Sequence, residues 1–126
     1  MSTTVSRLTR LSLDEPDEVR PFEGNDGHVD IVNIEDGGVI SRGTFEPGWR
    51  WSEHVKPIAK TDSCQVPHAG YVISGRMMIV MDDETREEFG PGDVMIVPPG
   101  HDAWTVGDEA CVTIDWSGMR DYAKRT

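Results

Sequence analysis

Gly92-Asp93-Val94-Met95-Ile96-Val97-Pro98-Pro99-Gly100 is the stretch that decides the fold. Val94 to Val97 is apolar at every position, too short for a helix of ordinary length, and bounded on both sides by glycine or proline. That combination reads as a buried strand between two enforced turns. Working outward, the same grammar repeats. Glu87–Phe89 runs into Gly90-Pro91-Gly92, and Arg76–Met81 and Tyr71–Ser74 flank Gly75. Trp104–Val106 and Cys111–Trp116 are parted by Gly107-Asp108-Glu109. Toward the N-terminus lie His28–Ile34, closed by Asp36-Gly37-Gly38, then Val39–Phe45, stopped by Pro47-Gly48, then Trp49–His54. Outside the termini no window of 11 or more residues sustains helical periodicity. The 13 glycines and 8 prolines fall between short apolar runs, the pattern of an antiparallel sandwich or barrel.

At 126 residues the chain has the size of one domain. The sequence divides into an irregular N-terminal leader (1–27), a β-barrel (28–118) and a short C-terminal tail (119–126) that can form a helix. Residues 1–36 carry nine acids and three bases, so the leader region is strongly acidic, and neither terminus offers obvious chemistry. A formal net charge of −11 argues against nucleic acid and anionic membranes as partners, since both need a concentrated Lys/Arg surface. No apolar run spans a bilayer, and Met1–Arg10 lacks a signal-peptide core, which sets a cytoplasmic expectation. In that compartment Cys64 and Cys111 are expected as thiols, Cys111 buried in an apolar strand.

Met77 to Met81 and Val94 to Val97 have no polar face. A strand with one solvated side alternates, so these two are expected to be covered on both. A barrel this small has little chain to spare for that purpose, and the expectation is a homodimer.

The glycine, five residues, Pro-x-Gly of residues 92–100 resembles the second motif of the cupin superfamily. Gly48, five residues, then His54 is similar to the start of the first cupin motif, and His68, six residues, then Gly75 to its end. Tyr71-Val72-Ile73-Ser74-Gly75-Arg76 looks like the strand that follows. The resemblance runs from about Phe45 to Trp116. It implies an all-β, antiparallel double-stranded β-helix (a jelly-roll, cupin-like barrel), with a site inside. Independently of the name, such turns aim side chains into a barrel interior large enough for side chains or one small ligand.

Cupins with the full pattern bind a divalent metal through two histidines two residues apart, a glutamate, and a histidine after the Pro-x-Gly turn. Here Lys56 stands at the second histidine position, His68 where the glutamate falls, and Ala103 at the last position. Some eleven residues, Pro57 to Pro67, intervene between the halves of the first motif. Only His54 matches directly. A variant site of His54, His68 and His101 is expected, with Glu53 or Cys64 as a fourth ligand. It would hold one divalent transition metal, with Zn, Fe, Mn, Ni and Cu not distinguishable. The alternative is that the three are a rim, a core and a turn histidine. His28 belongs to no motif and reads as structural or surface.

Other pocket candidates are Arg50, as a carboxylate fork, and Trp104, as a ring at the barrel mouth. Asp102 can orient His101 or bond local backbone N–H groups. In an extended segment Trp49, Trp51 and Glu53 share one face and Arg50, Ser52 and His54 the other, with the two tryptophans in core or dimer packing. Three functions fit: a metal-dependent enzyme acting on a small organic molecule, a metal-free ligand-binding or sensor module, and a purely structural barrel.

Overall fold

The computed structural model describes residues 7–34, 38–117 and 122–123. Nine strands lie among them: β1 (Glu18–Pro21), β2 (Gly27–Asn33), β3 (Val39–Phe45), β4 (His68–Ser74), β5 (Arg76–Met81), β6 (Arg86–Phe89), β7 (Val94–Val97), β8 (His101–Val106) and β9 (Cys111–Ser117). Their pairings are antiparallel, in a six-stranded sheet ordered β1-β2-β3-β9-β4-β7 and a three-stranded sheet ordered β6-β5-β8. This is a jelly-roll. The chain is all-β in its main body, as its punctuation indicated.

Period-two alternation fills the space between the sheets. Cys111, Thr113 and Asp115 of β9 are buried, as are His101, Ala103 and Thr105 of β8, Met77 and Ile79 of β5, and Met95 and Val97 of β7. At Gly75 the chain leaves the large sheet for the small one with φ +74°. A side chain is excluded there, because a Cβ would stand 2.2 Å from the Ala110 carbonyl oxygen.

Residues from both terminal regions, β1 with Phe22 on one side and 122–123 on the other, join the core. β1 pairs with β2 (Val19 opposite Asp30), and the 27/28 boundary drawn from sequence falls inside β2. Phe22 is buried, with its ring 5.3 Å from Phe45 and 5.6 Å from Trp49. Tyr122 and Ala123 are buried as well, and the Arg20 guanidinium donates to the Tyr122 carbonyl oxygen at 2.9 Å. The short helix expected over 119–126 lies largely outside the described residues.

The strand expected over Trp49–His54 is replaced by two single helical turns, α1 (Trp51–His54) and α2 (Lys56–Ala59). Trp49 N–H closes the Pro47-Gly48 turn onto Glu46, and the His54 and Val55 N–H groups then bond back to Arg50 and Trp51. The first turn of α1 is held from a distance: Ser52 N–H donates to Asp102 Oδ1 of β8 at 3.1 Å. That contact satisfies a helix N-terminal donor that the local sequence leaves open. The two-face parity read from an extended segment therefore does not hold. Trp49 and Trp51 are core residues, while Glu53 is exposed.

The outer faces of the two apolar strands differ. Met78 and Val80 of β5 are partly buried. On β7, an edge strand, Val94 and Ile96 remain 58% and 70% exposed, so among the described residues nothing in this chain covers them. No helix among the described residues is long and apolar enough to cross a membrane.

Candidate metal centre

Three segments converge at one end of the barrel interior. The loop before β4 is stitched to the start of β8: Cys64 N–H donates to the His101 carbonyl oxygen at 2.7 Å, and Gly100 N–H donates to the Cys64 carbonyl oxygen at 2.7 Å. The Pro98-Pro99-Gly100 turn (Gly100 φ +93°) starts β8 so that His101 lies inward, on the same face as Ala103. β4 begins at His68, opposite Val97 of β7. The ligating atoms of Cys64, His68 and His101 consequently lie within 4.8 Å of one another. A tetrahedral ion with bonds of roughly 2.0–2.3 Å needs its ligands about 3.3–3.8 Å apart, so the group closes by about 1.5 Å at most on binding. His68 Nε2 and Cys64 Sγ are already 3.8 Å apart.

Hydrogen bonding prepares both imidazoles. The Nδ1 of His68 is 3.0 Å from Asp115 Oδ2, and the Nδ1 of His101 is 2.8 Å from the Pro98 carbonyl oxygen. A carboxylate and a carbonyl only accept, so each ring donates from Nδ1 and, when neutral, carries its lone pair on Nε2. Backing of this kind by a carboxylate or carbonyl fixes a metal-ligating histidine in tautomer and orientation. Asp115 is itself held by Ser117 N–H on Oδ1 at 2.7 Å and is 2% exposed.

Burial sets the protonation states. It pushes His101 down to about 4, against the opposing effect of its bond to Pro98 and with help from nearby His68. The ring is neutral and ready to ligate at neutral pH. Burial likewise pushes the Cys64 thiol up to about 11, so the metal-free group holds a proton that an incoming ion must displace. Cys111 is pushed up to about 12 for the same reason, and both cysteines are free thiols.

A pH dependence follows for the metal-free protein. The unfolded imidazole takes up its proton near 6.5, whereas folded His101 resists protonation until about 4. Stability is therefore full above the unfolded value and is lost as pH falls through that window, by about 3 kcal/mol from this residue. Urea midpoints at pH 7 and pH 4.5 measure it. His101→Gln is expected to lose less stability over that span than the parent, and equal losses would refute the assignment.

The other sequence-derived candidates sit elsewhere. His54 lies outside the group: Arg50 N–H donates to its Nδ1 at 3.0 Å, and its Nε2 is 2.7 Å from Asp26 Oδ2. Its Nδ1 also lies 3.1 Å from the Arg50 carbonyl oxygen, so both nitrogens are engaged. Arg50 stacks on the Trp104 ring at 4.3 Å and reaches Glu53 and Asp102 at 3.6 and 3.7 Å. Glu53, Arg50, Asp102 and Trp104 thus form a cluster apart from the cavity. Asp102 Oδ1 accepts locally from Ala103 N–H and, across 50 residues of sequence, from Ser52 N–H. His28 is a surface residue 3.4 Å from Asp30.

Two residues of the site were not singled out from the sequence. Asp115 had a signal, being a charged residue on the same parity as Cys111 and Thr113 in an otherwise apolar strand. Tyr122, whose ring meets His68 edge-on at 5.2 Å, had none.

The interior cavity beside the histidines measures about 30 Å³ and is lined from both sheets, with Trp49, Trp51 and Tyr122 completing the wall. A second cavity of about 250 Å³ shares Trp51 and Tyr122 with it and includes Cys64 in its lining.

No family model matches this sequence, and no curated protein matches it. Solved structures do. An RmlC-like cupin from Shewanella frigidimarina aligns over 96% of this chain and 97% of its own, at 14% identity and a TM-score of 0.54. A cupin-like protein from Thermotoga maritima aligns over 76% and 70%, at 22% identity and a TM-score of 0.53. This chain has the cupin fold. A DUF1255 protein of unknown function from Acinetobacter sp. ADP1 shares it over 80% of this chain and 90% of its own, at 20% identity and a TM-score of 0.59. Against the cupin motifs that the sequence resembles, the chain differs at Lys56, His68 and Ala103, and its Cys64/His68/His101 group could hold a metal ion.

Proposed function

We propose that this cupin holds one divalent transition ion on Cys64 Sγ, His68 Nε2 and His101 Nε2 and presents an open position to a small organic molecule. The observation that carries the reading is the pair of imidazoles, each donating from Nδ1 to an acceptor-only partner and so leaving Nε2 for an ion, in one group with the Cys64 thiol. Two nitrogens and a thiolate suit Zn or Cu and count against Mn. When bound, the ion supplies Lewis acidity toward an oxygen ligand in its fourth position. The 30 Å³ cavity admits only the head of a substrate. Its body belongs in the 250 Å³ cavity beyond Trp51 and Tyr122. The competing reading, a metal-free binding or sensor module, draws on Lys56 and Ala103 at family ligand positions.

Elemental analysis of tag-free protein purified without added metal separates the two. About one transition ion per chain is expected in the parent and in His54→Ala, with loss in His68→Ala and Cys64→Ser. Metal-free parent protein that also fails to take up Zn²⁺ on titration, or full occupancy in His68→Ala, overturns the proposal.

The protein is further proposed to work as a homodimer through the outer face of the large sheet. There Tyr71, Ile73, Val94, Ile96 and Trp116 are all more than 40% exposed on neighbouring strands, with Tyr71 opposite Val94. These five side chains are uncharged on a chain of net charge −11, and they reach the β7 edge. A second copy of the same neutral surface suits it better than a charged partner. Light scattering at micromolar concentration is expected to show dimers for the parent and monomers for Ile96→Lys. A monomeric parent ends this proposal.

A further inference from the structure

Two buried hydrogen-bond donors remain unexplained by the metal group. Trp49 and Trp51 are 2% and 1% exposed, both indoles line the 30 Å³ cavity, and neither Nε1–H has an acceptor among the described residues. An indole N–H can only donate. Leaving one buried without a partner forfeits the hydrogen bond it makes with water, and two in one small cavity double that cost. Such orphans call for an occupant.

The rest of the wall shows which kind. His68 and His101 line the cavity, grouped with the Cys64 sulfur and each leaving Nε2 as its lone-pair nitrogen. Trp49 and Trp51, which carry the two donors, line the same cavity. A dry apolar ligand satisfies neither set, and an ammonium or amide N–H has nothing to offer the indoles. A cation carrying an anionic oxygen satisfies both: the ion takes the lone pairs, and its oxygen accepts from the indoles. The oxygen gains as well, since N–H donors fixed in a water-poor site stabilise negative charge without reorganising.

We infer that the cavity is an oxyanion pocket in which Trp49 Nε1–H and Trp51 Nε1–H donate to a carboxylate or enolate oxygen bound in the fourth position of the metal. The inference rests on the metal-site reading and deepens it by naming the substrate class: small molecules that bring an anionic oxygen to the ion. The two tryptophans are specificity-determining residues. A substrate offering an amine or a thioether in place of that oxygen leaves both donors unpaired.

Formate is small enough to serve as the probe. The experiment is a formate titration of the Zn²⁺-loaded protein, followed by the ¹H–¹⁵N resonances of its four tryptophan indoles. Two of the four are expected to shift saturably downfield, and Trp49→Phe and Trp51→Phe each remove one of those two. Each variant is expected to weaken formate binding about tenfold, the effect of one hydrogen bond to a charged group. Methylamine is expected to shift neither resonance.

Zn²⁺ uptake is measured first on the same sample, so the two proposals fail separately. Absent Zn²⁺ binding refutes the metal centre. Zn²⁺ binding with all four indoles unmoved by formate refutes the oxyanion pocket alone, as does a shift confined to the indoles of Trp104 and Trp116. Should a phenylalanine variant not fold, the titration of the parent still decides, because the number of indoles that move is read without it.

Discussion

Asp115→Asn is expected to weaken Zn²⁺ binding at the proposed site about 10–100-fold while the barrel stays folded. Asp115 Oδ1 accepts from Ser117 N–H at 2.7 Å and Oδ2 accepts from His68 Nδ1 at 3.0 Å. An asparagine that keeps its oxygen on Ser117 must turn its NH₂ toward His68. The imidazole then has to accept at Nδ1 and carry its proton on Nε2, the nitrogen that faces Cys64. That is the wrong tautomer for ligation. Loss of such a backing group typically lowers metal affinity 10–100-fold, whereas the change in side-chain volume is negligible. Competition against a chromophoric chelator measures the affinity, and circular dichroism checks the fold. Zn²⁺ affinity within about twofold of the parent would show that Asp115 does not set the tautomer of His68.

The second large effect is on the fold itself. Gly75→Ala is expected to destabilise the protein by roughly 4 kcal/mol, through left-handed backbone strain and steric overlap together. The new Cβ would stand 2.2 Å from the Ala110 oxygen and 2.6 Å from Cys111 Cα, both backbone atoms that cannot swing aside. Gly107→Ala is the control. Its φ is +87°, but nothing lies within 4 Å of the added methyl, so it carries the strain alone, about 1 kcal/mol. Urea denaturation of both variants is the measurement. If Gly75→Ala costs no more than Gly107→Ala, the passage between the sheets at Gly75 is looser than the packing of β4 against β9 indicates.

These two residues mark how far the sequence could be read. Gly75 is legible because its role is local: a left-handed turn between two apolar runs needs glycine whatever surrounds it. The same holds for Gly92 to Gly100, which set β7 and the turn into β8, and for the inward parity of His101. Asp115 was half legible, as a charge on the buried parity of β9, but its partner 47 residues away was not. The strand drawn over Trp49–His54 failed because the decisive contact, Asp102 onto Ser52 N–H, comes from a strand 50 residues further along the chain. The same insertion that breaks the family spacing, Pro57 to Pro67, carries Cys64 to its place beside His101.

By itself, then, the chain's order of glycines, prolines and apolar runs determined a two-sheet β-barrel and two of the three histidine positions that face inward, because turn geometry and strand alternation act over a few residues. Tertiary structure alone decided that Cys64 joins His68 and His101, that His54 turns away to Asp26, and that Tyr122 and two indoles close the cavity. Those outcomes depend on hydrogen bonds and packing between segments tens of residues apart, and no local rule of the backbone encodes which distant groups will meet.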